Sequence, residues 1–295
     1  MGTKAFLMLN RLAVALSPAR QVLRRVPGVK ALYESVYFRL KPRGTILIAC
    51  QGNHAYVDAA DVGIVPHLLM EGVYERYQTE LFKQMIRPGM VIIDVGANFG
   101  YYTLLAARLL RNTGSVTAFE PDSKNFELLV NNVRINGYTN VTTIRKAVAN
   151  KSGRLKLFLD ESNLGMHSLS DKNVSQKAGF AEVDALCLDD FFESTPTIAK
   201  VDLMKIDAEG AEGLIIEGAT RALRHVDKIF MAFWPEGLRN LGTSPHALVY
   251  TLEQHGFRIW IVDETEGSIK QSRGTELIKM IQSRHDFSVN LFLER

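Results

Sequence analysis

The stretch Met90-Val-Ile-Ile-Asp-Val-Gly-Ala-Asn-Phe-Gly-Tyr-Tyr-Thr103 decides how the chain folds. Val91, Ile92 and Ile93 are a β-branched run behind Pro88-Gly89, the pattern of a buried strand. Asp94 falls at the carboxyl end of that strand, and Gly96, Ala97, Asn98 and Gly100 make a tight turn of small residues. From Thr103 the pattern becomes helical through Leu104, Leu105 and Leu109, with Gly114 as a stop. A strand, a glycine turn and a helix form a Rossmann-type nucleotide site, whose ligand lies at the carboxyl edge of the sheet. A second strand, Val116 to Phe119, ends in Glu120, where an acid meets the hydroxyls of a ribose.

The turn also discriminates between nucleotides. A dinucleotide loop reads G-x-G-x-x-G, because the backbone must approach a pyrophosphate at the second glycine. Asn98 stands at that position here, and Asp94 just before the loop would repel a pyrophosphate. S-adenosylmethionine carries a sulfonium and an ammonium and no phosphate, so an acidic loop suits it better than NAD.

Working outward, residues 1–45 carry nine Lys or Arg against one acid, Glu34. The remaining chain carries a slight excess of acid, so nucleic acid is not an expected substrate. Residues 1–26 read either as a helix packed on the body or as a basic amphipathic segment on an anionic membrane surface or partner. The apolar run there is broken by Arg11 and is too short for a span. The two cysteines, Cys50 and Cys187, sit in apolar surroundings and read as reduced, buried thiols, as in a cytoplasmic protein. Residues 44–60 read as a hairpin and, up to residue 80, as a cap region; His54 and His67 there read as loop and packing histidines.

Beyond Glu120-Pro121, Asp122 or Ser123 caps a helix with Phe126, Leu129, Val130 and Val133 on one face. Val141 to Val148 reads as a third strand, with Ala147 on the adenine side. Arg154 to Leu159 and Met166 to Leu169 read as an added pair of strands. Val201 to Ile206 is a fourth core strand, leading to Asp207-Ala208-Glu209-Gly210-Ala211-Glu212 and a helix over 208–223. Lys228 to Phe233 and Phe257 to Val262 follow as strands, separated by a helix with Ser244 as N-cap. Residues 264–286 read as a polar insertion with one helix, before a last strand at Phe287 to Leu293.

Together, Val91 to Thr103, Phe119-Glu-Pro121 and Met204-Lys-Ile-Asp-Ala-Glu-Gly-Ala-Glu212 resemble the FkbM family of S-adenosylmethionine-dependent methyltransferases. Gly72-Val-Tyr-Glu75 and Leu188-Asp-Asp-Phe191 fit the same pattern, and the resemblance covers about residues 44–262. It implies an α/β, Rossmann-like class I methyltransferase fold: a seven-stranded, mostly parallel sheet with helices on both faces and an antiparallel last strand. That domain would span residues 81–295, behind a helical segment at 1–43. The resemblance also implies O-methyl transfer to a hydroxyl of a sugar, glycan or secondary metabolite. The cofactor contacts expected are Glu75, Asp94, Gly96, Ala97, Asn98, Gly100, Glu120, Pro121, Ala147 and Asp207.

A hydroxyl that attacks a methyl must lose its proton, so a carboxylate or histidine is expected near the reacting atoms. Asp207 is the first candidate, with Glu236 and His167 behind it. Asp207 would otherwise serve as the N-cap of the 208–223 helix, and Glu212 as a residue favourable to the helix dipole. Asp207, Glu209 and Glu236 could hold a divalent ion, although no metal centre is expected. An NAD-dependent oxidoreductase and a non-catalytic S-adenosylmethionine-binding protein remain the alternatives.

Overall fold

The computed structural model describes residues 43–283 and 287–295, with the side chain of Ser283 excepted; the basic segment 1–26 lies outside them. The chain divides into two compact units between Tyr74 and Glu75, so that residues 75–80, grouped with the cap on sequence, fall in the larger unit.

The smaller unit holds the expected hairpin, β1 (Thr45–Cys50) and β2 (Asn53–Asp58), paired antiparallel. Its turn is Gln51-Gly52, both at positive φ (50° and 80°), the two-residue geometry that follows the strand twist. The helix Ile64–Glu71 follows, its first N–H groups taken by the Asp61 carboxylate.

In the larger unit, β3 (Val91–Val95), β4 (Ser115–Phe119), β5 (Val141–Ile144), β9 (Leu203–Ile206) and β10 (Lys228–Phe233) run parallel. The order across the sheet is β12-β11-β13-β10-β9-β3-β4-β5, where β11 is Arg258–Asp263, β12 is Ser268–Ser272 and β13 is Val289–Glu294. β13 is antiparallel to both β10 and β11, as expected of the last strand. The eighth strand, β12, comes from the 264–286 insertion and pairs antiparallel with β11. Its sequence, Ser-Ile-Lys-Gln-Ser, is polar enough to leave as an exposed sheet edge, which is why no strand signal marks it.

Both faces of the parallel strands are covered, which explains their unbroken apolar runs. Because side chains alternate along a strand, Ile93, Val95, Met204, Ile206, Ile229, Met231 and Phe233 share one buried cluster. Ile215 and Ile216 of the helix Glu212–Glu217, Leu248 and Leu252 of Pro245–Gln254, and Leu277 of Gly274–Ser283 join them. On the other face, Phe230 meets Phe82 of the helix Arg76–Met85 at 5.9 Å between ring centroids. Phe82 in turn meets Tyr102 of the helix Tyr101–Leu110 at 5.0 Å. Burying a side chain of that size contributes roughly 1.5–3 kcal/mol.

Several elements depart from expectation. The single strand expected over 141–148 is two. β5 stays in the main sheet, and β6 (Ala147–Val148) turns away to pair with β8 (Lys177–Leu186). β7 (Gly153–Asp160) also pairs with β8 rather than with Met166–Leu169, which contributes only an isolated bridge between Phe158 and Ser168. β8 escapes sequence reading because its first half is exposed and contains Gly179. The helix expected over 208–223 is a loop to Ala211, then Glu212–Glu217, then a short 3-10 turn at Ala222–His225. Asp122 and Ser244 cap their helices as expected, by accepting backbone N–H bonds. Both cysteines are buried, and neither forms a disulfide. No described helix is long and apolar enough to cross a membrane.

Candidate active site

The carboxyl edges of β3, β4 and β9 meet at one cleft holding about 570 Å³ of open space, its mouth included. Gly96, Asn98, Glu120, Pro121, Ala147, Asp207 and His167 line it, together with Lys146 and Glu209. Of the other expected contacts, Asp94 lies beneath the cleft at 2% exposure and Ala97 is buried. Gly100 packs toward Leu129, and Glu75 belongs to a network described below. Glu236 does not line the cleft; it sits exposed on the first turn of the helix Pro235–Asn240.

The 96–100 loop is closed on itself. The N–H groups of Gly96 and Ala97 both donate to the Phe119 carbonyl, at 3.0 and 2.9 Å, and that of Gly100 donates to Ala97. Asn98 N–H donates to the Glu120 carboxylate at 2.8 Å, and Phe99 N–H to the Asn98 side-chain oxygen at 2.6 Å. Every backbone donor of the loop is thus already used. Gly96, at φ +78°, lies so close to β9 that a Cβ there would land on the Asp207 carbonyl oxygen. Only glycine fits.

Glu120 is 5% exposed and accepts from Asn98 and Asp122 N–H, one to each oxygen. Burial pushes its pKa up to about 8 against those two donors. Each carboxylate oxygen retains a second lone pair toward the cleft's contents.

Beside the cleft lies a network that no local motif announces. The register of β3 and β9 sets Asp94 opposite Lys205. Asp94 accepts from Thr103 Oγ1 at 2.6 Å through one oxygen, and its other oxygen is buried with no partner. Lys205, 4% exposed, pairs with Asp207 at 3.0 Å and lies over the Tyr102 ring, 4.7 Å from its centroid. Burial opposes the charge on Lys205, but Asp207, Asp94 and Glu75 outweigh it and raise its pKa, so it stays protonated. Tyr102 Oη and Gln78 Nε2 donate to one oxygen of Glu75, at 2.9 and 2.8 Å, and Asn290 Nδ2 donates to the other at 2.8 Å. Burial and the Asp207 charge raise the Glu75 pKa. Burial likewise raises that of Asp94.

Asp207 is therefore not a helix cap. The helix behind it starts at Glu212, and its carboxylate is engaged by Lys205 instead. Glu212, 1% exposed, folds back so that one oxygen accepts from Ala208 and Gly210 N–H, which holds the loop rather than answering the helix dipole alone. Burial raises its pKa to about 7. The far wall comes from the 160–176 loop, where Leu164, Gly165, His167 and Leu169 face the cleft. Asn125 Nδ2 ties this wall to the helix Ser123–Ile135 through the Leu164 carbonyl, and His167 Nδ1 accepts from Asp160 N–H. That nitrogen is consequently unprotonated in this arrangement.

Lys205, Tyr102 and Asn290 are site residues that sequence reading missed. For Lys205 a signal exists: a lysine between Met204 and Ile206 on a buried strand needs carboxylate partners.

A family model described as "Methyltransferase FkbM domain" matches residues 94–259, a little over half of the chain. Among curated proteins, "Methyltransferase 1" of Beauveria bassiana (strain ARSEF 2860) is 24% identical, over 43% of this chain and 57% of that protein. The chain thus spans little more than half the length of the curated relative it matches. Among solved structures, methyltransferase FkbM of Methylobacillus flagellatus KT aligns with a TM-score of 0.42 at 15% identity, over 78% of this chain and 52% of that one. TYW2 of M. jannaschii, solved in complex with AdoMet, aligns with a TM-score of 0.40 at 11% identity, over 86% and 88%.

Proposed function

The chain belongs to the FkbM methyltransferase family, whose cofactor is S-adenosylmethionine, and from that premise we propose that it transfers a methyl group to a hydroxyl oxygen of a sugar, glycan or other small metabolite. The observation that carries the choice of cofactor over NAD is the 96–100 loop. A pyrophosphate needs free backbone donors and a positive field, and here all five N–H groups are paired while Asp94, Glu120, Asp207 and Glu209 gather around them. The same edge fits a ligand bearing two positive groups. The partnerless oxygen of Asp94 and the carboxylates of Glu75 and Asp207 outnumber the single buried cation, Lys205.

When bound, S-adenosylmethionine supplies an electrophilic methyl on a positively charged sulfur. In this reading Glu120 holds the ribose hydroxyls with its remaining lone pairs, and Pro121 and Ala147 bound the base beside them. Gly96 and Asn98 form the floor. Asp207, bonded to Lys205, faces the positive end of the ligand. Most of the rate comes from holding acceptor and donor in line. His167 lies on the wall from which an acceptor would be oriented. Glu236, exposed and off the cleft, has no part in this scheme.

Calorimetry with S-adenosylmethionine, S-adenosylhomocysteine and NAD tests the first half of the reading. Binding of the first two and not the third is expected; the reverse would make the protein an oxidoreductase. Methyl release from labelled cofactor over a panel of hydroxylated acceptors tests the second half. Turnover only with amine or carbon acceptors would overturn the assignment to oxygen.

A further inference from the structure

Five carboxyl groups surround the end of β9, and four of them have hydrogen-bond donors. Glu75 has three side-chain donors, Asp94 has Thr103, Asp207 has Lys205, and Glu212 has two backbone N–H groups. Glu209 is the exception: no donor among the described residues reaches its carboxyl, although it lines the cleft beside Asp207 and Ala208.

The backbone that presents Glu209 is fixed with unusual thoroughness. It sits at φ +49°, a conformation uncommon for a residue with a side chain. Its carbonyl is held by Ser168 Oγ at 2.7 Å and Asn173 Nδ2 at 3.0 Å, both from the loop that forms the far wall. The next residue, Gly210, is packed so tightly that a Cβ would strike Asn173 and the Gly237 backbone. Strain of this kind persists where surrounding structure enforces it, and it clusters at functional sites. Two anchors, one positive φ and one glycine thus hold a side chain that itself bonds to nothing.

We propose that Glu209 takes the proton of the acceptor hydroxyl, and that it is able to do so only while the cofactor's positive charge is in the cleft. This rests on the methyltransferase reading above and assigns the base within it. The acceptor oxygen bonds to the methyl carbon as the carbon–sulfur bond breaks, its electron pair staying on sulfur, and the hydroxyl proton passes to the Glu209 carboxylate. Glu209 keeps that proton as the products leave, and the one proton the reaction yields is the one given up to solvent when the next cofactor binds.

The surroundings of Glu209 account for the dependence on cofactor. Burial and repulsion from Asp207 and Glu212 push its pKa well above the usual carboxylate range, Glu75 adds to this, and Lys205 alone opposes it. Lys146, Glu120 and His167 are the other titratable groups that line the cleft beside Asp207, and Ser168 and Asn173 on the far wall are neutral. These surroundings favour the protonated, non-accepting form of Glu209 as long as no further cation lies among the carboxylates. A cation arriving among the carboxylates favours the ionised form, so cofactor binding ejects the proton and arms the base. Asp207 is the complementary member, its carboxylate already bonded to Lys205 at 3.0 Å.

The test is a proton count. S-adenosylmethionine is titrated into the full chain by calorimetry in two buffers of different ionisation enthalpy, at several pH values from 6 to 8.5, for wild type and Glu209→Gln. Wild type is expected to release protons on binding, and the variant to release about one fewer while still binding. Equal release by the two would overturn the proposal. Should Glu209→Gln fail to fold, the infrared difference spectrum of wild type decides: a protonated-carboxyl stretch lost on binding supports the assignment, and an unchanged one refutes it. With an acceptor in hand, Glu209→Gln should lower kcat by roughly 10²–10⁴-fold, with little change in the cofactor's KM. It should also flatten the rising limb of the pH–rate profile. Absence of S-adenosylmethionine binding by wild type would remove the methyltransferase reading itself, and the proposal with it.

Discussion

The two halves of the sheet's carboxyl edge are built on opposite plans. The half around Glu120 is local. Loop 96–100, the end of β4 and the Asp122 cap bond mostly to neighbours within about two dozen residues, and mainly through backbone. The half around Lys205 is assembled from afar. Glu75 receives donors from Gln78, Tyr102 and Asn290, the last 215 residues away, and the helix that follows Glu75 is capped by Glu264. A motif can encode the first plan, because spacing along the chain nearly equals spacing in the fold. It cannot encode the second. The family match, residues 94–259, contains the whole local half and stops short of Glu75, Glu264 and Asn290.

Breaking the point where the halves touch should have the largest effect. Gly96→Ala drives a Cβ into the Asp207 carbonyl and requires φ +78° of a residue that resists it, so β3 and β9 must separate. Loss of cofactor binding and a stability loss above about 4 kcal/mol are expected from overpacking against backbone together with strain. A variant with wild-type Tm and affinity would show that the halves are not rigidly joined.

Lys205→Met probes the distant half alone. It removes the buried cation that faces Asp207, Asp94 and Glu75, and because Asp207 keeps some solvent the expected cost is roughly 3 kcal/mol, at the lower end for a broken buried pair. Denaturant unfolding measures it. A variant as stable as wild type would mean that the carboxyls simply take up protons in the lysine's absence.

A pH series distinguishes neutral from charged acids. The folded pKa of Glu212, about 7, lies above its unfolded value of 4.5, so its neutral form is the one the fold prefers. The stability it contributes is complete below about pH 4.5 and lost as pH rises through 7. At 1.36 kcal/mol per unit this amounts to about 3 kcal/mol. Glu212→Gln should remove that slope from a plot of unfolding free energy against pH; a slope unchanged in the variant would assign it to Glu120 or Glu75.

Glu120→Ala tests the local half. It removes the acceptor proposed for the ribose, lowering S-adenosylmethionine affinity by roughly 1.5–3 kcal/mol in calorimetry. Undiminished affinity would remove Glu120 from the cofactor site. The smallest effect belongs to Glu264→Ala, which strips the acceptor from Tyr77 and Gln78 N–H and should cost about 1 kcal/mol, as a lost cap does. If its effect on cofactor binding exceeds its effect on Tm, the cap also positions Glu75.

The same contrast explains what could be read beforehand. Strands β3, β4 and β10, the caps at Asp122 and Ser244 and the placement of Glu120 follow from period, capping chemistry and spacing. Asp207 could be located but not its partner: an acid three residues before Gly210 looks like a cap until Lys205 is seen beneath it. The strand expected over 141–148 fails because an apolar run does not say which sheet it joins, and Ala147 finds β8 while Ile144 stays with β4. Glu209 reads in sequence only as a candidate ligand of a divalent ion, because nothing local marks its positive φ.

The order of strands has a consequence for synthesis. Going along the chain, β13 follows every other strand described, yet it lies inside the sheet, between β10 and β11. While the polypeptide leaves the ribosome, β11 and its hairpin partner β12 have no attachment to the parallel strands. Glu75, already made, also waits for Asn290. The gap must be held open, or found again, until Val289–Glu294 emerges and fills it. Pairings of such long range are slow to close and leave sheet edges exposed meanwhile. A nascent chain stalled before residue 289 would carry a nearly complete Glu120 half beside an unfinished Lys205 half, and is the form most in need of a chaperone.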